Sequence, residues 1–264
     1  MSPDMAPDKL GQVILSVGTD QFATALQDWL DAVCVFDNIG IIAFFQDRPP
    51  RILYTHARTS RVFDRIDSQY VGGAYLLDPF FGLHQSQVAA GLYRLSDVAP
   101  DQFQRNEYFK SYYRNTTLTD ELAFFCSPAP GVSITTCIGR DETTGSRFSA
   151  KDREIAKRIA PVVNALVRQN WGDLRSDENT APQDVAGDLR QRLAQNTGIE
   201  LSRRQSEVAL LVLKGHSSIS IGLTLGISPQ TVKVIRKQLY KRCQISSQGE
   251  LYYLIAPYLS GQTN

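Results

Sequence analysis

Apolar residues recur at two different intervals along this chain, and the interval changes with position. Residues 22–29 carry them at helical spacing. Gly40-Ile-Ile-Ala-Phe-Phe45 and Arg51-Ile-Leu-Tyr-Thr55 then flank Arg48-Pro-Pro and read as a pair of strands around a turn. Helical spacing returns over 61–70, 78–89 and 101–112. Residues 120–127 and 132–140, separated by Pro128-Ala-Pro-Gly131, predict a second hairpin. Ser149-Ala-Lys-Asp152 has capping-box spacing and opens a helix through about Arg168, with Ile155, Ile159, Val162, Val163 and Leu166 on one stripe. Strand pairs separated by helices and closed by a long helix predict an α+β domain over 1–171, with a central antiparallel sheet and flanking helices.

Residues 172–200 are polar and rich in Gly, Asp, Asn and Pro, which predicts a linker holding one short amphipathic helix near 188–194. From 201 to 264 every signal is helical. Ser202-Arg-Arg-Gln205 caps a helix in which Val208, Leu211 and Val212 share a face, and Gly215 is placed to stop it. Ser217-Ser218 caps a second, short helix with Ile221 and Leu225 inward, and Gly226 supplies the left-handed position of a tight turn. Ser228-Pro229 starts a third helix, Pro at the first position losing no hydrogen bond. There Val232, Ile235, Leu239 and Cys243 recur at helical intervals, while Thr231, Lys233, Arg236, Lys237, Tyr240 and Lys241 fall on other faces.

Charge sharpens this picture. The 264 residues carry a formal net charge of only +1, yet from Leu201 onward eight Lys/Arg face two acids, a segment net of +6 that leaves −5 for the rest. A short helix, a Gly-containing turn and a cationic helix meet the physical description of a helix-turn-helix, whose second helix fits the major groove. The candidate DNA-facing residues are Ser228, Gln230, Thr231, Lys233, Val234, Arg236, Lys237 and Lys241. Four scattered cysteines without C-x-x-C spacing and three distant histidines suggest reduced core thiols and neither a disulfide framework nor a metal site. No run approaches the roughly 20 apolar residues of a bilayer span, and Pro and Asp stand where a signal peptide needs cations, so a cytoplasmic protein with no membrane partner is expected.

Leu201-Ser-Arg-Arg-Gln-Ser-Glu-Val208, Leu225-Gly-Ile-Ser-Pro-Gln-Thr-Val-Lys233, and Ser247 with Glu250-Leu251 resemble the helix-turn-helix domain of LuxR-type bacterial transcription regulators. The resemblance implies that residues 229–242 form the recognition helix, with Thr231, Lys233 and Arg236 on DNA. It also implies a last helix, carrying Leu251, Leu254 and Ile255, that pairs two copies, and RNA polymerase as a partner if the protein activates. Ile219, Ser220, Gly222, Ile235 and Gln248 depart from the family pattern; the first and last replace phosphate-binding cations, which weakens nonspecific attraction.

A DNA reader of some sixty residues with a longer module before it calls for a regulatory input. The sequence shows no receiver-type acidic layout, no P-loop, no Gly-x-Gly-x-x-Gly turn and no nucleophile motif, so no cofactor and no enzyme is expected. The N-terminal module is dense in aromatics, as a small-molecule pocket requires. Tyr70-Val-Gly-Gly-Ala-Tyr75-Leu-Leu-Asp78-Pro79 resembles the pocket segment of the acyl-homoserine-lactone receptors of the LuxR family, which implies that Asp78 accepts a hydrogen bond from an effector; the Asp-Pro pair equally predicts an N-cap. The receptors' pocket tryptophans have no counterpart, since the two tryptophans are Trp29 and Trp171, and the segment 147–152 looks equally like the end of a GAF domain, a sensor related to PAS domains. Phe44, Tyr54, Tyr70, Tyr75, Asp78, Tyr93 and Glu121 are the candidate effector-binding residues, and a carboxylate among aromatic rings suits a small nitrogenous cation. A homodimeric, ligand-responsive regulator of operator DNA is the expectation. Its alternatives are a lactone receptor, a protein-interaction adaptor with a degenerate helix-turn-helix, and a metabolite-binding enzyme with a fused helical domain.

Overall fold

The computed structural model describes residues 5–177 and 183–259. Its contacts divide the chain into two compact units. The first holds Met1–Asp64, Leu83–Val98 and Thr116–Pro182; the second holds Arg65–Gly82, Ala99–Asn115 and Gln183–Asn264.

The first unit is built on a five-stranded antiparallel sheet in the order β2-β1-β5-β4-β3. Its strands are β1 (Asn38–Phe45), β2 (Arg51–Ala57), β3 (Gly91–Arg94), β4 (Asp120–Ala129) and β5 (Val132–Arg140). The two expected hairpins are present, and β1 pairs with β5 from Asn38↔Gly139 to Phe45↔Val132. Strand alternation sorts the side chains. Ile39, Ile41, Ala43 and Phe45 of β1, Leu122, Phe124 and Cys126 of β4, and Val132, Ile134 and Ile138 of β5 join one core with three helices, α1 (Pro7–Ser16), α2 (Phe22–Val33) and α6 (Ala150–Asn170). Trp29 is buried in that core and donates its indole N–H to the Met5 carbonyl at 2.9 Å. The Ser149–Asp152 capping box forms as expected, and α6 buries Ile159, Val163 and Leu166 while Ile155 and Val162 stay half-buried. All four cysteines are buried, and none forms a disulfide among the described residues.

Three expected helices are shorter than their spacing implied. Residues 61–70 form a 3-10 turn (Ser60–Val62) and one π-type turn (Ile66–Val71), 78–89 shrink to α3 (Pro79–Gln85), and 101–112 to a 3-10 turn (Phe103–Arg105) and α5 (Glu107–Ser111). Between them lies a single turn of helix, α4 (Leu95–Val98). Helix α1, which has Pro at its first position, and the four-residue β3 lie outside the elements expected from the sequence.

In the second unit the polar stretch before residue 200 yields α7 (Val185–Thr197), longer than expected; residues 178–182 of that stretch lie outside the described residues. Four helices follow: α8 (Arg203–Lys214), α9 (Ser218–Leu225), α10 (Pro229–Cys243) and α11 (Gln248–Ile255). Helix α8 buries Gln205, Ser206, Val208, Ala209, Leu210, Val212 and Leu213, far more than one stripe, because α7, α10, α11 and α5 all pack against it. Leu211, expected inside, is half-buried. No described helix is long and apolar enough to cross a membrane.

Candidate nucleic-acid interface and effector residues

The helix-turn-helix is specified by its ends. Ser217 Oγ accepts the Ser220 N–H at 3.2 Å to start α9, and Gly226 ends it with φ 65°. Ser228 Oγ accepts the Thr231 N–H at 3.0 Å to start α10, and Pro229 occupies its first position. Val208, Val212, Ile221, Val232, Leu239, Cys243, Leu251 and Ile255 are all buried and form the module's interior, whereas Leu225 and Ile235 are half-buried. At about 1.5 Å per residue, the 15 residues of α10 extend over roughly 22 Å, long enough to cross a major groove.

The candidate DNA-facing residues divide by exposure. Gln230, Thr231, Lys233, Val234, Lys237 and Lys241 are exposed on α10, and the three lysines form no ion pair among the described residues. Ser228 is exposed, but its hydroxyl is engaged as the cap and lies 2.8 Å from Thr231 Oγ1. Arg236 is half-buried: its guanidinium lies 3.4 Å from both Ser218 Oγ and the Tyr240 hydroxyl and stacks on the Tyr240 ring. Helix α11 turns Leu251 and Ile255 inward as it packs on α8, so Tyr253 and the half-buried Leu254 are what it offers outward. Gln248, where the LuxR pattern has a cation, donates its Nε2 to the Val212 carbonyl at 2.9 Å and so closes the end of α8. Ile219 instead leaves its apolar side chain exposed on α9.

Three effector candidates sit together in the second unit. The Tyr70 hydroxyl donates to Asp78 Oδ2 at 2.5 Å, and the Phe80 N–H donates to Asp78 Oδ1 at 2.8 Å, so Asp78 is also the N-cap the sequence predicts. Tyr70 and Tyr75 have ring centroids 6.4 Å apart. Tyr70 also stacks on Tyr112 at 6.0 Å, and Tyr112 on Tyr108 at 5.6 Å. Part of Asp78 still reaches solvent, yet the protein around its carboxyl pushes its pKa up to about 6, against the lowering by Tyr70 and Phe80. Burial likewise raises Tyr70, and the Asp78 charge beside it adds to the rise.

The other candidates belong to the first unit. Phe44 and Tyr93 point to the sheet face opposite the helical core, where Tyr93 packs edge-on against Phe125 at 6.0 Å and donates its hydroxyl to the Ala89 carbonyl. Glu121 shares that face by register. Tyr54 does not: it pairs with Ile41, packs against the helical core, and its hydroxyl donates to Gln27 Oε1. The face holding Phe44 also holds three polar groups absent from the expected set. His84 Nδ1 lies 2.9 Å from Ser133 Oγ, its ring is 6.1 Å from that of Phe44, and burial keeps it below the usual histidine range. Thr135 Oγ1 is buried without a hydrogen-bond partner. The available signal was the alternation of Ser133, Thr135 and Cys137 with Ile134, Thr136 and Ile138 along β5.

The same unit carries a groove of about 1080 Å³ between α6 and β3, lined in part by Arg94, Arg153, Lys157 and Arg168. Two of those cations are committed: Arg94 pairs with Asp120 at 2.8 Å, and Arg153 donates to the Phe148 carbonyl at 2.7 Å. Among the described residues, no group of three or more His, Cys, Asp or Glu side chains is placed to hold a metal ion.

Comparison with known proteins places these modules. Residues 200–255 match the GerE model of bacterial regulatory proteins, luxR family. The chain is 28% identical over 187 residues to a sequence named as an HTH-type transcriptional regulator in the exeN 3'region of Aeromonas salmonicida, covering 69% of this chain and 94% of that one. The crystal structure of the VqsR LBD domain from Pseudomonas aeruginosa is similar with a TM-score of 0.54 and 25% identity, over 62% of this chain and 94% of that one. SdiA from Escherichia coli aligns over 95% of this chain and 97% of its own, with a TM-score of 0.39 and 14% identity. Residues 200–255 thus form a LuxR-type helix-turn-helix domain, and the N-terminal domain resembles the LBD domain of VqsR.

Proposed function

We propose that the protein is a ligand-responsive transcription regulator that binds operator DNA as a homodimer through α10 and answers to a small nitrogenous effector. The observation that carries the DNA half is the row of exposed Lys233, Lys237 and Lys241, without an ion pair among the described residues, on the helix that Ser228 and Pro229 start. Two such helices related by a twofold axis would read half-sites roughly 34 Å apart. RNA polymerase becomes a partner if the protein activates. The matched family and the named relative are regulators rather than an enzyme class, which supports reading the chain as non-catalytic.

The test is a titration of the gene's upstream region at several salt concentrations. Lys233→Ala is expected to weaken binding about tenfold and, if Lys233 meets a phosphate, to lower the salt slope by about 1. Unchanged affinity at fixed salt removes Lys233 from the interface. No salt-dependent binding by the wild type would favour the adaptor reading.

The effector half rests on Asp78, a carboxylate that burial pushes up to about 6 and that no cation of the described residues pairs, set against Tyr70 and near Tyr75. A bound ammonium would neutralise it and meet the ring faces. Because Asp78 shares its compact unit with Gln183–Asn264, the whole chain is the protein to use. A calorimetric panel of amines, amino acids and acyl lactones is expected to yield an amine or amino acid. Lactone binding with no amine binding would replace the amine reading by that of a lactone receptor.

A further inference from the structure

The second unit joins pieces far apart in sequence. Residues 101–115 lie against the helix-turn-helix through a set of hydrogen bonds that all fall on its framework. The Gln102 N–H donates to the Gly215 carbonyl at 2.8 Å, and Asn106 Nδ2 donates to the Leu213 carbonyl at 3.0 Å. Asp101 Oδ1 accepts the Ser217 N–H at 2.9 Å, and Ser111 Oγ is hydrogen-bonded to the Tyr252 hydroxyl of α11 at 2.9 Å. The fit at the α8–α9 turn is close: Gly215 has φ +97°, and a Cβ there would stand 2.8 Å from both Phe103 Cα and Asn106 Nδ2. These contacts are built in, since Asn106 is 1% exposed and its Oδ1 also accepts the Phe109 N–H at 2.7 Å, so one side chain both starts α5 and holds α8.

The same segment reaches Asp78. Tyr108 and Tyr112 project from it and stack in series with Tyr70, whose hydroxyl is on the Asp78 carboxylate. Stacked, buried rings cannot slide independently in a close-packed interior, so a change at Tyr70 has to be accommodated by the segment that carries Tyr112. At the far end, Asp101 occupies the N–H at the start of α9, a donor of the kind DNA phosphates take. Against the upward push of burial, the hydroxyl and N–H of Ser217 hold the Asp101 carboxyl below the usual range.

We propose that residues 101–115 form a latch coupling Asp78 to the helix-turn-helix: rearrangement of Tyr70 at Asp78 is passed through the Tyr70–Tyr112–Tyr108 stack to Asp101 and Asn106, and release of Asp101 frees the start of α9 for the DNA backbone. It rests on the reading of Asp78 as the effector contact and names how that contact regulates DNA binding.

Two substitutions in the full chain test it, both read without effector. Asp101 is exposed, so Asp101→Ala leaves the fold intact; Tyr70→Phe preserves ring volume and removes only the hydroxyl. Amide exchange at Ser217 is expected to quicken at least tenfold in Asp101→Ala and severalfold in Tyr70→Phe, with exchange at Leu239 unchanged in both. Affinity for a random-sequence duplex at low salt is expected to rise about threefold in Asp101→Ala. The latch is overturned if Tyr70→Phe leaves Ser217 exchange unchanged, if Leu239 quickens in step with Ser217, or if duplex affinity ignores Asp101→Ala. Failure of the effector reading would show separately, as a ligand panel in which nothing binds while the exchange changes persist.

Discussion

Replacing Asp78 with Asn is expected to stabilise the protein by about 3 kcal/mol above pH 7. The figure follows from a carboxyl whose pKa rises from 3.8 to about 6 on folding, at about 1.4 kcal/mol per unit. The direction follows from linkage: a raised carboxyl pKa means the folded chain holds the proton more tightly than the unfolded one. The contribution is fully present below about pH 4 and is lost as pH rises through 6. The wild type should therefore lose stability across that window, whereas Asp78→Asn, which still offers an oxygen to the Phe80 N–H, should not. Chemical denaturation at half-unit pH steps measures both curves. A constant gap from pH 4 to 8 would mean that the charge of Asp78 is not what differs between the two proteins. A carboxylate kept at that cost is what a binding residue looks like, since sites for ligands are drawn from positions where stability is given up. The same group predicts that an amine effector binds more tightly as pH rises through 6, because its partner becomes an anion there.

What could be seen in the sequence was whatever is fixed locally. Ser202, Ser217 and Ser228 each cap the helix expected of them, because an N-cap is a bond between residues three apart. The hairpins around 46–50 and 130–131 were equally visible, since Pro and Gly interrupt runs that are otherwise apolar. Helical spacing misled over 61–70 and 101–112, where the residues at helical intervals include large rings. Phe103, Tyr108, Tyr112 and Tyr113 all face the interior from short turns, and a one-sided aromatic cluster mimics an amphipathic helix. Nothing local marks the bond from Asn106 to the Leu213 carbonyl, at a sequence separation of 107, so the grouping of 101–115 with the helix-turn-helix was invisible. Tyr54 failed to join Phe44 for a related reason: its face depends on which β1 residue it meets, and that residue is Ile41, a core position. His84, Ser133 and Thr135 were passed over because two hydroxyls in an apolar strand look like ordinary strand formers until their partners are known.

Leu239→Ala should be the most damaging single change in α10 while touching no DNA. Leu239 is fully buried, so removing its side chain is expected to cost about 2–5 kcal/mol, the transfer term plus the cavity left behind. Lys233 is exposed and forms no ion pair among the described residues, so Lys233→Ala should leave stability within about 0.5 kcal/mol of the wild type. The two variants then separate by temperature and salt. With a folding margin of about 10 kcal/mol, Leu239→Ala still keeps most molecules folded at 25 °C, and apparent affinity changes only by the folded fraction. Its loss should appear on warming, at every salt concentration alike, because the missing quantity is folded α10 rather than a charge. Lys233→Ala should show the reverse, a loss at all temperatures that fades as salt rises and counterions no longer reward the contact. A reduced salt slope in Leu239→Ala at low temperature would show that α10 presents a different face to the duplex, with its apolar row outward and its lysines turned away.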